Sequence, residues 1–571
     1  MGNYIDKTIP TELLKMLEKR GIVGETALSE YLSPKPQLSH DPFLLSGMRA
    51  GVDLLLKALS ENKKIVIYGD YDVDGITSTA LLLHVISQLT DNINYHIPSR
   101  EKEGYGLNRD AIDAIAEAGG ELIVTVDCGS VSRDETEYAH SLGIETIVTD
   151  HHNIEDRIAE GVVINPRAPG DEYPFKGLAG VGVAYKFATV LIREAGLPKS
   201  LITEVLELVA IGTIADIMPL TDENRTIVKY GLRLINGGGI NPGLRKLMRR
   251  SGLVPGKIKA SDISFKIAPV INSAGRVGEA SLGVKLLMET DPVKIEDHCT
   301  KLLSLNSTRR NLQKESFDVC LPRAMEELAK GDCLVIDAGN SHEGITGVVA
   351  GIIKERLNRP TILLVEKDGI YKGTGRSIET IDLFEMLNRH ADMFINFGGH
   401  AGACGFTIEK SNVEELRRLL NEDMVAMEEK NGRILDRVHV IDSFITPTRA
   451  DNDFVSELEI FEPCGKENEA PSFCFANMKI DDWIYLGKGT KWARFKAKNS
   501  GGEIRCVFFN NAEDYYSFYS NGMPVDIYGN LELNTWNGFE NVQLLVKGIL
   551  PAGEASRSVC TEERPGSACI N

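Results

Sequence analysis

No stretch of this sequence stays apolar for the roughly 18 residues that a membrane-spanning helix needs, which excludes a span of that kind. The N-terminus, MGNYIDKTIPTELL, has no charged segment leading into an apolar one, so no secretory signal is expected. Asp6 stands where myristoylation at Gly2 would want Ser or Thr. The ten cysteines include no C-x-x-C pair, which argues against a disulfide scaffold or a zinc ribbon. Positive charge is in deficit: 63 Lys and Arg stand against 82 Asp and Glu, a net charge of −19. That excludes a histone-like coat on nucleic acid while leaving room for a local basic cleft. The expectation is a cytoplasmic protein of a reducing compartment, with no membrane partner.

What is present is length and apolar content. A chain of 571 residues, 43% of them apolar, can build several cores. At about 100–200 residues per domain it predicts three or four domains. Residues 1–60 read as a peripheral helical segment with a proline-rich joint, SPKP. The rhythm then becomes strand, polar loop, helix: KKIVIYGD, NINYHIPS, ELIVTVDCGS, IETIVTDHH and EGVVINPR carry short β-branched runs bounded by turn residues. Strands alternating with helices predict an α/β fold on a parallel, doubly wound sheet. A mostly helical stretch follows, basic over residues 241–266, and then a long polar helix over about 293–330. A second α/β unit runs over 326–432. From 433 to 553 the pattern is all β, with Asn537-Gly538 as a type I′ hairpin signal, and suits an OB-type barrel. Residues 554–571 read as a tail. The first domain is expected to span 61–325.

Three predicted strand ends deliver metal-binding side chains: Asp70, Asp72 and Asp74 in GDYDVDG, then Asp127, then Asp150, His151 and His152. In a parallel sheet these ends share one edge, where open α/β folds hold ligands. Asp216 in GTIADIMP adds a carboxylate among apolar neighbours. Asp72 and Asp74, two apart, would face the same side of an extended segment. Carboxylates and imidazoles without thiolates suit Mn²⁺ or Mg²⁺. The donors suffice for two ions about 3.5–4 Å apart, an arrangement that hydrolyses phosphodiesters. A calcium loop counted from Asp70 would need Glu at its twelfth position, where Leu81 stands. Asp150 can instead support its neighbours from behind, and Asp216 can be no more than a helix cap.

Other signals are weaker alone. Gly180-x-Gly182 lacks the third glycine of a dinucleotide fingerprint, since Tyr185 stands there, and reads as close helix packing. INSAGRVG, GTGRS and FGGHAGACGF are glycine-rich loops bearing Arg276, Arg376 and His400; each is either a phosphate-binding loop or an ordinary turn. In WARFKAK, Trp492, Arg494, Lys496 and Lys498 share one face of a strand. That face is either a platform for single-stranded nucleic acid or plain solvent surface.

GDYDVDG, VDCG, DHH and GTIADIMPL, in that order, resemble the DHH phosphoesterase superfamily. INSAGRVG, HEGITGVVAGIIKERLNRP, GTGRS and GGHAGACGF narrow the resemblance to the RecJ family, bacterial single-strand-specific 5′ exonucleases, over about residues 40–550. The resemblance implies a DHH domain, a long connecting helix, a DHHA1 domain and a C-terminal OB fold. It implies 5′→3′ degradation of single-stranded DNA to 5′ mononucleotides with Mn²⁺ or Mg²⁺, in recombination, repair and replication-fork processing. It makes Asp72, Asp74, Asp127, His151, His152 and Asp216 metal ligands, with Asp70 and Asp150 behind them. Arg276, Arg376 and His400 would hold DNA phosphates. His342 and residues 100–108, with Arg109 next to them, would line the channel mouth. Single-strand-binding protein and a RecQ-type helicase are the partners implied.

Two departures from that family stand out. Before the barrel the chain reads EPCGKENEAP, with Glu467 and Glu469 where Gly and Pro are expected. The chain also stops soon after the barrel, so contacts made by a further C-terminal domain are expected to be absent. Two alternatives remain: a DHH/DHHA1 phosphodiesterase for short oligoribonucleotides or cyclic dinucleotides, and an inert DNA-binding scaffold. The first generally lacks the barrel and helical insert; the second requires broken metal motifs.

Overall fold

The computed structural model describes residues 9–33, 39–100, 103–154, 157–367, 369–432, 434–487, 489–509, 511–536 and 539–558. The chain divides into two compact units. Lys35–Ile434 form one, together with the short segment Pro463–Glu467; Met1–Pro34, Leu435–Glu462 and Asn468–Asn571 form the other.

The first unit is built on a parallel sheet of β1 (Ile65–Gly69), β2 (Ile93–His96), β3 (Leu122–Val126), β4 (Glu145–Thr149) and β5 (Val162–Ile164), in the order β2-β1-β3-β4-β5. Every residue of β1 and β3 is buried, as expected for a parallel sheet covered on both faces. The chain leaves β1 for β2 on one side and returns to β3 on the other. The carboxyl ends of β1 and β3 therefore flank the point where strand order reverses, the usual ligand crevice of an open α/β sheet. The helix Val73–Ile86 is buried at every position but His84, because it lies between the sheet and the helices Gly180–Glu194 and Leu206–Ala215.

The long polar helix is Pro292–Leu328, 37 residues. Pro292 at its first turn and the Asp291 carboxylate, accepting from the Val293 amide at 2.8 Å, start it sharply. It leads to a mixed sheet, β6 (Leu334–Asp337), β7 (Thr361–Lys367), β8 (Ile370–Arg376), β9 (Phe394–His400) and β10 (Ala403–Glu409), ordered β6-β7-β8-β10-β9. Only β6 and β7 pair in parallel in this sheet.

In the second unit, β11 (Ser443–Phe444), β12 (Ser472–Tyr485), β13 (Ala493–Asn499), β14 (Gly502–Phe508), β15 (Val525–Trp536) and β16 (Phe539–Pro551) follow the order β11-β12-β13-β14-β16-β15. Pairing of β15 back onto β12 closes β12 to β16 into a five-stranded barrel of OB type. Asn537 and Gly538, the expected hairpin turn, lie outside the described residues, as does the tail beyond residue 558. The helices Thr11–Lys19 and Gly24–Leu32 belong to this unit: Arg20 and Tyr31 each hydrogen-bond Asn468 Oδ1, at 3.0 and 2.9 Å, and Arg20 stacks on Phe461. The third helix of the N-terminal segment, Met48–Ser60, instead packs on β5 and the helix Gly180–Glu194.

Among the described residues no helix is long and apolar enough to cross a membrane.

Candidate metal centre and phosphate site

β1 runs into Asp70, β3 into Asp127 and β4 into Asp150-His151-His152, so three adjacent strand ends aim their donors at one place. The segment after Asp70 is not extended, contrary to the sequence expectation. Asp72 caps the helix Val73–Ile86, accepting from the amides of Asp74 and Gly75 at 2.8 and 3.2 Å. Asp74 already lies in the first turn of that helix. Its carboxylate accepts from the Gly180 and Val181 amides, at 2.7 and 2.8 Å. The Gly180 helix terminus thus binds an anion, and the anion is a side chain of this chain. Asp216 is the C-terminal cap of the helix Leu206–Ala215 and lies beyond the buried wall, 27% exposed.

Three overlapping groups of donors have ligand atoms within 4.8 Å of one another: Asp127 with His151 and His152, Asp74 with His151 and Asp216, and Asp70 with Asp72 and Asp127. All six residues expected to ligate metal meet here, and Asp70 meets them directly. His151 Nε2 lies 3.1 Å from Asp127 Oδ1, 3.5 Å from Asp216 Oδ2 and 3.9 Å from Asp74 Oδ2. None of these approaches has the direction of a hydrogen bond. Asp70 Oδ1, Asp127 Oδ1 and both ring nitrogens of His151 are buried with no hydrogen-bond partner. Buried polar atoms are normally paired. Here the orphans converge from several elements, and hard oxygen donors with imidazoles fit Mn²⁺ or Mg²⁺. Asp127 also holds a positive φ of 60°, a conformation that costs energy outside glycine.

The electrostatics agree with a site built for cations. Burial, and then the neighbouring carboxylates, raise Asp70, Asp74 and Asp127 well above the usual carboxylate range. Burial and Asp72 push Asp216 up to about 7. Burial and then His152 lower His151 to about 3, so its imidazole is neutral, as a ligand must be. Burial would also lower His152, but the hydrogen bond and charge of Asp150 outweigh it and raise it to about 9. Asp150 Oδ1 accepts from the His151 and His152 amides at 2.7 and 3.2 Å and lies 2.8 Å from His152 Nδ1; its Oδ2 accepts from the Ser130 amide at 2.9 Å. Against the effect of its own burial, these contacts hold Asp150 well below its ordinary pKa. Cys128, next to Asp127, is buried, and that burial raises its thiol pKa, so it offers no thiolate.

Beside Asp72 lies a group of arginines. Arg276 donates to the Gly344 carbonyl at 3.1 Å, reaching the first turn of the helix Glu343–Leu357. Burial, and then Arg100, Arg309 and Arg376, lower it to about 10. Arg376, at the end of β8, passes so close to Gly347 that a Cβ there would fall 2.7 Å from Nη2. Crowded guanidiniums without an anion between them are costly, and phosphate oxygens are their natural counter-charge. His400 ends β9, and burial followed by Arg376 lowers its pKa. His342 caps the helix Glu343–Leu357, its Nδ1 accepting from the Gly344 amide at 3.0 Å. Arg109 is exposed and packs over the Tyr138 ring.

Sequence reasoning missed Asn272, whose Oδ1 accepts from the Val73 amide at 3.0 Å, and the role of Tyr105, whose hydroxyl lies 3.1 Å from His152 Nδ1. Asn272 stood in the INSAGRVG motif and could have been found. Arg309 gave no signal, being one of many charges on a polar helix.

On the barrel, β13 alternates as expected: Ala493, Phe495 and Ala497 are buried, while Arg494 and Lys498 are exposed and Lys496 is partly so. The face is less basic than it reads. Lys496 lies 3.5 Å from Asp482 and 3.4 Å from Glu503, and Lys498 pairs with Asp481. Trp492 precedes the strand, 50% exposed, and meets Phe509 edge-on.

Residues 64–213 match the profile of the DHH family, N-terminal domain; residues 331–426 match the DHHA1 domain; residues 441–548 match the RecJ OB domain. The single-stranded-DNA-specific exonuclease RecJ of Dickeya dadantii is 38% identical over 566 residues, covering 95% of this chain and 96% of its own. The chain belongs to the RecJ family. The RecJ of Bacillus subtilis is 34% identical over 544 residues, covering 93% of this chain and 67% of its own. The crystal structure of RecJ from Thermus thermophilus in complex with Mn²⁺ superposes with a TM-score of 0.78 at 28% identity, covering 95% of this chain and 78% of that one. Its Mg²⁺ complex gives 0.72 at 27% identity, covering 95% and 77%. The RecJ family thus pairs the DHH and DHHA1 parts with a barrel that has a profile of its own.

Proposed function

We propose that this chain is a metal-dependent exonuclease specific for single-stranded DNA, acting 5′→3′ and releasing 5′ mononucleotides. The observation that carries the reading is the meeting of seven oxygen and nitrogen donors at the switch point of a parallel sheet, four of their atoms buried without partners, beside a group of crowded arginines. Membership of the RecJ family supports the choice of substrate.

Asp70, Asp72, Asp74, Asp127, His151, His152 and Asp216 would hold two divalent ions, Mn²⁺ or Mg²⁺. Such ions supply Lewis acidity: they acidify water and neutralise charge that builds on phosphate oxygens. The chain's own groups do the rest. Arg276 and Arg376, with Arg100 and Arg309 near them, orient the phosphate. Asp150 fixes the His152 ring through Nδ1. Buried, neutral His151 leaves its ring nitrogens without a hydrogen-bond partner and so free to bind a cation. The strand enters between the DHH and DHHA1 parts, past His342, Arg100, residues 103–108 and His400; residues 101 and 102 of the expected channel segment lie outside the described residues. On the barrel, Trp492 with Arg494 and Lys496 offers a stacking surface. In the cytoplasm this activity serves recombination, repair and fork processing, alongside single-strand-binding protein and a RecQ-type helicase.

The test uses purified protein with Mn²⁺ and three substrates: single-stranded DNA labelled at its 3′ end, a duplex, and a short RNA dinucleotide. Stepwise shortening of the single strand from its 5′ end, with the duplex spared, is the expected result. Cleavage of the dinucleotide alone would move the assignment to the small-substrate phosphodiesterases, and no Mn²⁺-dependent turnover at all would leave a scaffold.

A further inference from the structure

The segment Pro463–Glu467 belongs to the same compact unit as the metal centre, although the residues before and after it belong to the barrel's unit. Its backbone is docked. The Leu220 amide donates to the Lys466 carbonyl at 2.9 Å, and Arg225 Nη1 donates to the Pro463 carbonyl at 3.3 Å. Gly465 lies so close to Leu220 that a Cβ would fall 2.6 Å from Cδ1. Leu220 follows Asp216 by four residues, across a turn closed by the Met218 amide and the Thr213 carbonyl at 3.2 Å. The docking therefore fixes the Lys466 backbone beside the turn that presents Asp216.

The Lys466 side chain takes no part in that docking. Residue 466 is exposed, and among the described residues its ammonium has no ion-pair partner, in a chain with a net charge of −19. The docked backbone brings residue 466 to the Asp216 turn, and its charge acts on Asp216, where it opposes the rise caused by burial, and on His400. The arginine group lies on the Asp72 side of the centre. A strand laid across the metal-binding residues would thus meet arginines where it passes Asp72, and Lys466 and Arg167 together with the metal-binding His152 where it passes Asp216. A polyanion drawn to this centre gains from cations beyond the carboxylate-held metal ions, and a compact ammonium at the rim supplies one.

We propose that Lys466 is a substrate-binding residue, contacting a DNA phosphate next to the scissile bond on the Asp216 side. The proposal rests on the nuclease reading. It assigns a purpose to the unusual EPCGKENEAP joint: the segment leading into the barrel carries a phosphate contact into the metal centre.

The test compares the full-length wild type, Lys466→Met and Lys466→Arg with Mn²⁺ and single-stranded DNA. KM, kcat and the salt dependence of binding are measured. Because the backbone makes the docking contacts, all three should fold and melt alike. Lys466→Met should raise KM with kcat little changed, and the slope of log K against log salt should flatten by about 0.7, the value for one phosphate contact on a single strand. Lys466→Arg should restore both. An unchanged KM and slope in Lys466→Met would mean a solvent-facing lysine and overturn the proposal, as would a loss of kcat alone. A wild type that leaves the strand intact overturns the nuclease reading itself, and the control reaction reports that separately.

Discussion

Gly180 and Asp127 stand in contact across the sheet edge: a Cβ built on Gly180 would fall 2.5 Å from Asp127 Oδ1 and 2.6 Å from Asp127 Cβ. The glycine is there for close approach, not for φ. Gly180→Ala should push the Asp127 carboxylate off its position while the helix, which favours Ala over Gly, stays formed. A displacement near 1 Å can cost about a hundredfold in rate. The expected outcome is a large fall in kcat with an unchanged circular dichroism spectrum; full activity would show that the Asp127 position is not critical.

Asp127→Asn should lower turnover by about a thousandfold or more while single-stranded DNA still binds in a gel-shift assay. It should also raise the melting temperature of metal-free protein, since one buried, mutually repelling carboxylate is gone. Mn²⁺ should raise the melting temperature of the wild type, because it binds the folded state alone, and EDTA should reverse the gain. Differential scanning fluorimetry checks this directly. A Mn²⁺ shift of equal size in Asp127→Asn would remove Asp127 from the ligand set.

Lys186 and Glu223 form a buried pair at 2.5 Å, and the Tyr173 hydroxyl donates to the other oxygen of Glu223 at 2.5 Å. Lys186 also donates to the His40 carbonyl at 2.9 Å, tying the chain before Met48–Ser60 to the core. Lys186→Met strands the Glu223 charge and should cost about 3–5 kcal/mol, read as a lower urea midpoint. Lys186→Met with Glu223→Leu should recover part of that loss. A recovery of nothing would show that the hydrogen bond to His40, not the charge pair, carries the stability.

Glu467 holds φ at 59°, the left-handed region that favours glycine. A side chain there costs about 1–2 kcal/mol, against which glycine's extra freedom when unfolded gives back about 0.5–1 kcal/mol. Glu467→Gly should therefore stabilise by about 1 kcal/mol, seen as a higher denaturation midpoint. A lower midpoint would mean that the glutamate's own contacts outweigh the strain.

The strand, loop and helix rhythm of the first domain was legible because short β-branched runs alternate with buried helices, and only a parallel sheet satisfies that pattern. From it followed the gathering of Asp70, Asp127 and the Asp150–His152 turn, since carboxyl ends of parallel strands share an edge whatever else the fold does. The long helix and the β13 alternation were legible for the same local reasons. Spacing misled where a helix began one residue after Asp72, because an i, i+2 argument holds only for extended chain.

The donor types, their order and the family they match were thus determined by the sequence itself. Tertiary structure decided what each donor faces: Asp74 meets amides at Gly180 and Val181, Arg309 joins Arg276, Lys496 is offset by Asp482 and Glu503, and Lys466 arrives beside Asp216. Most of these relationships join residues distant in the chain, and all depend on packing and charge in three dimensions, which local periodicity does not carry.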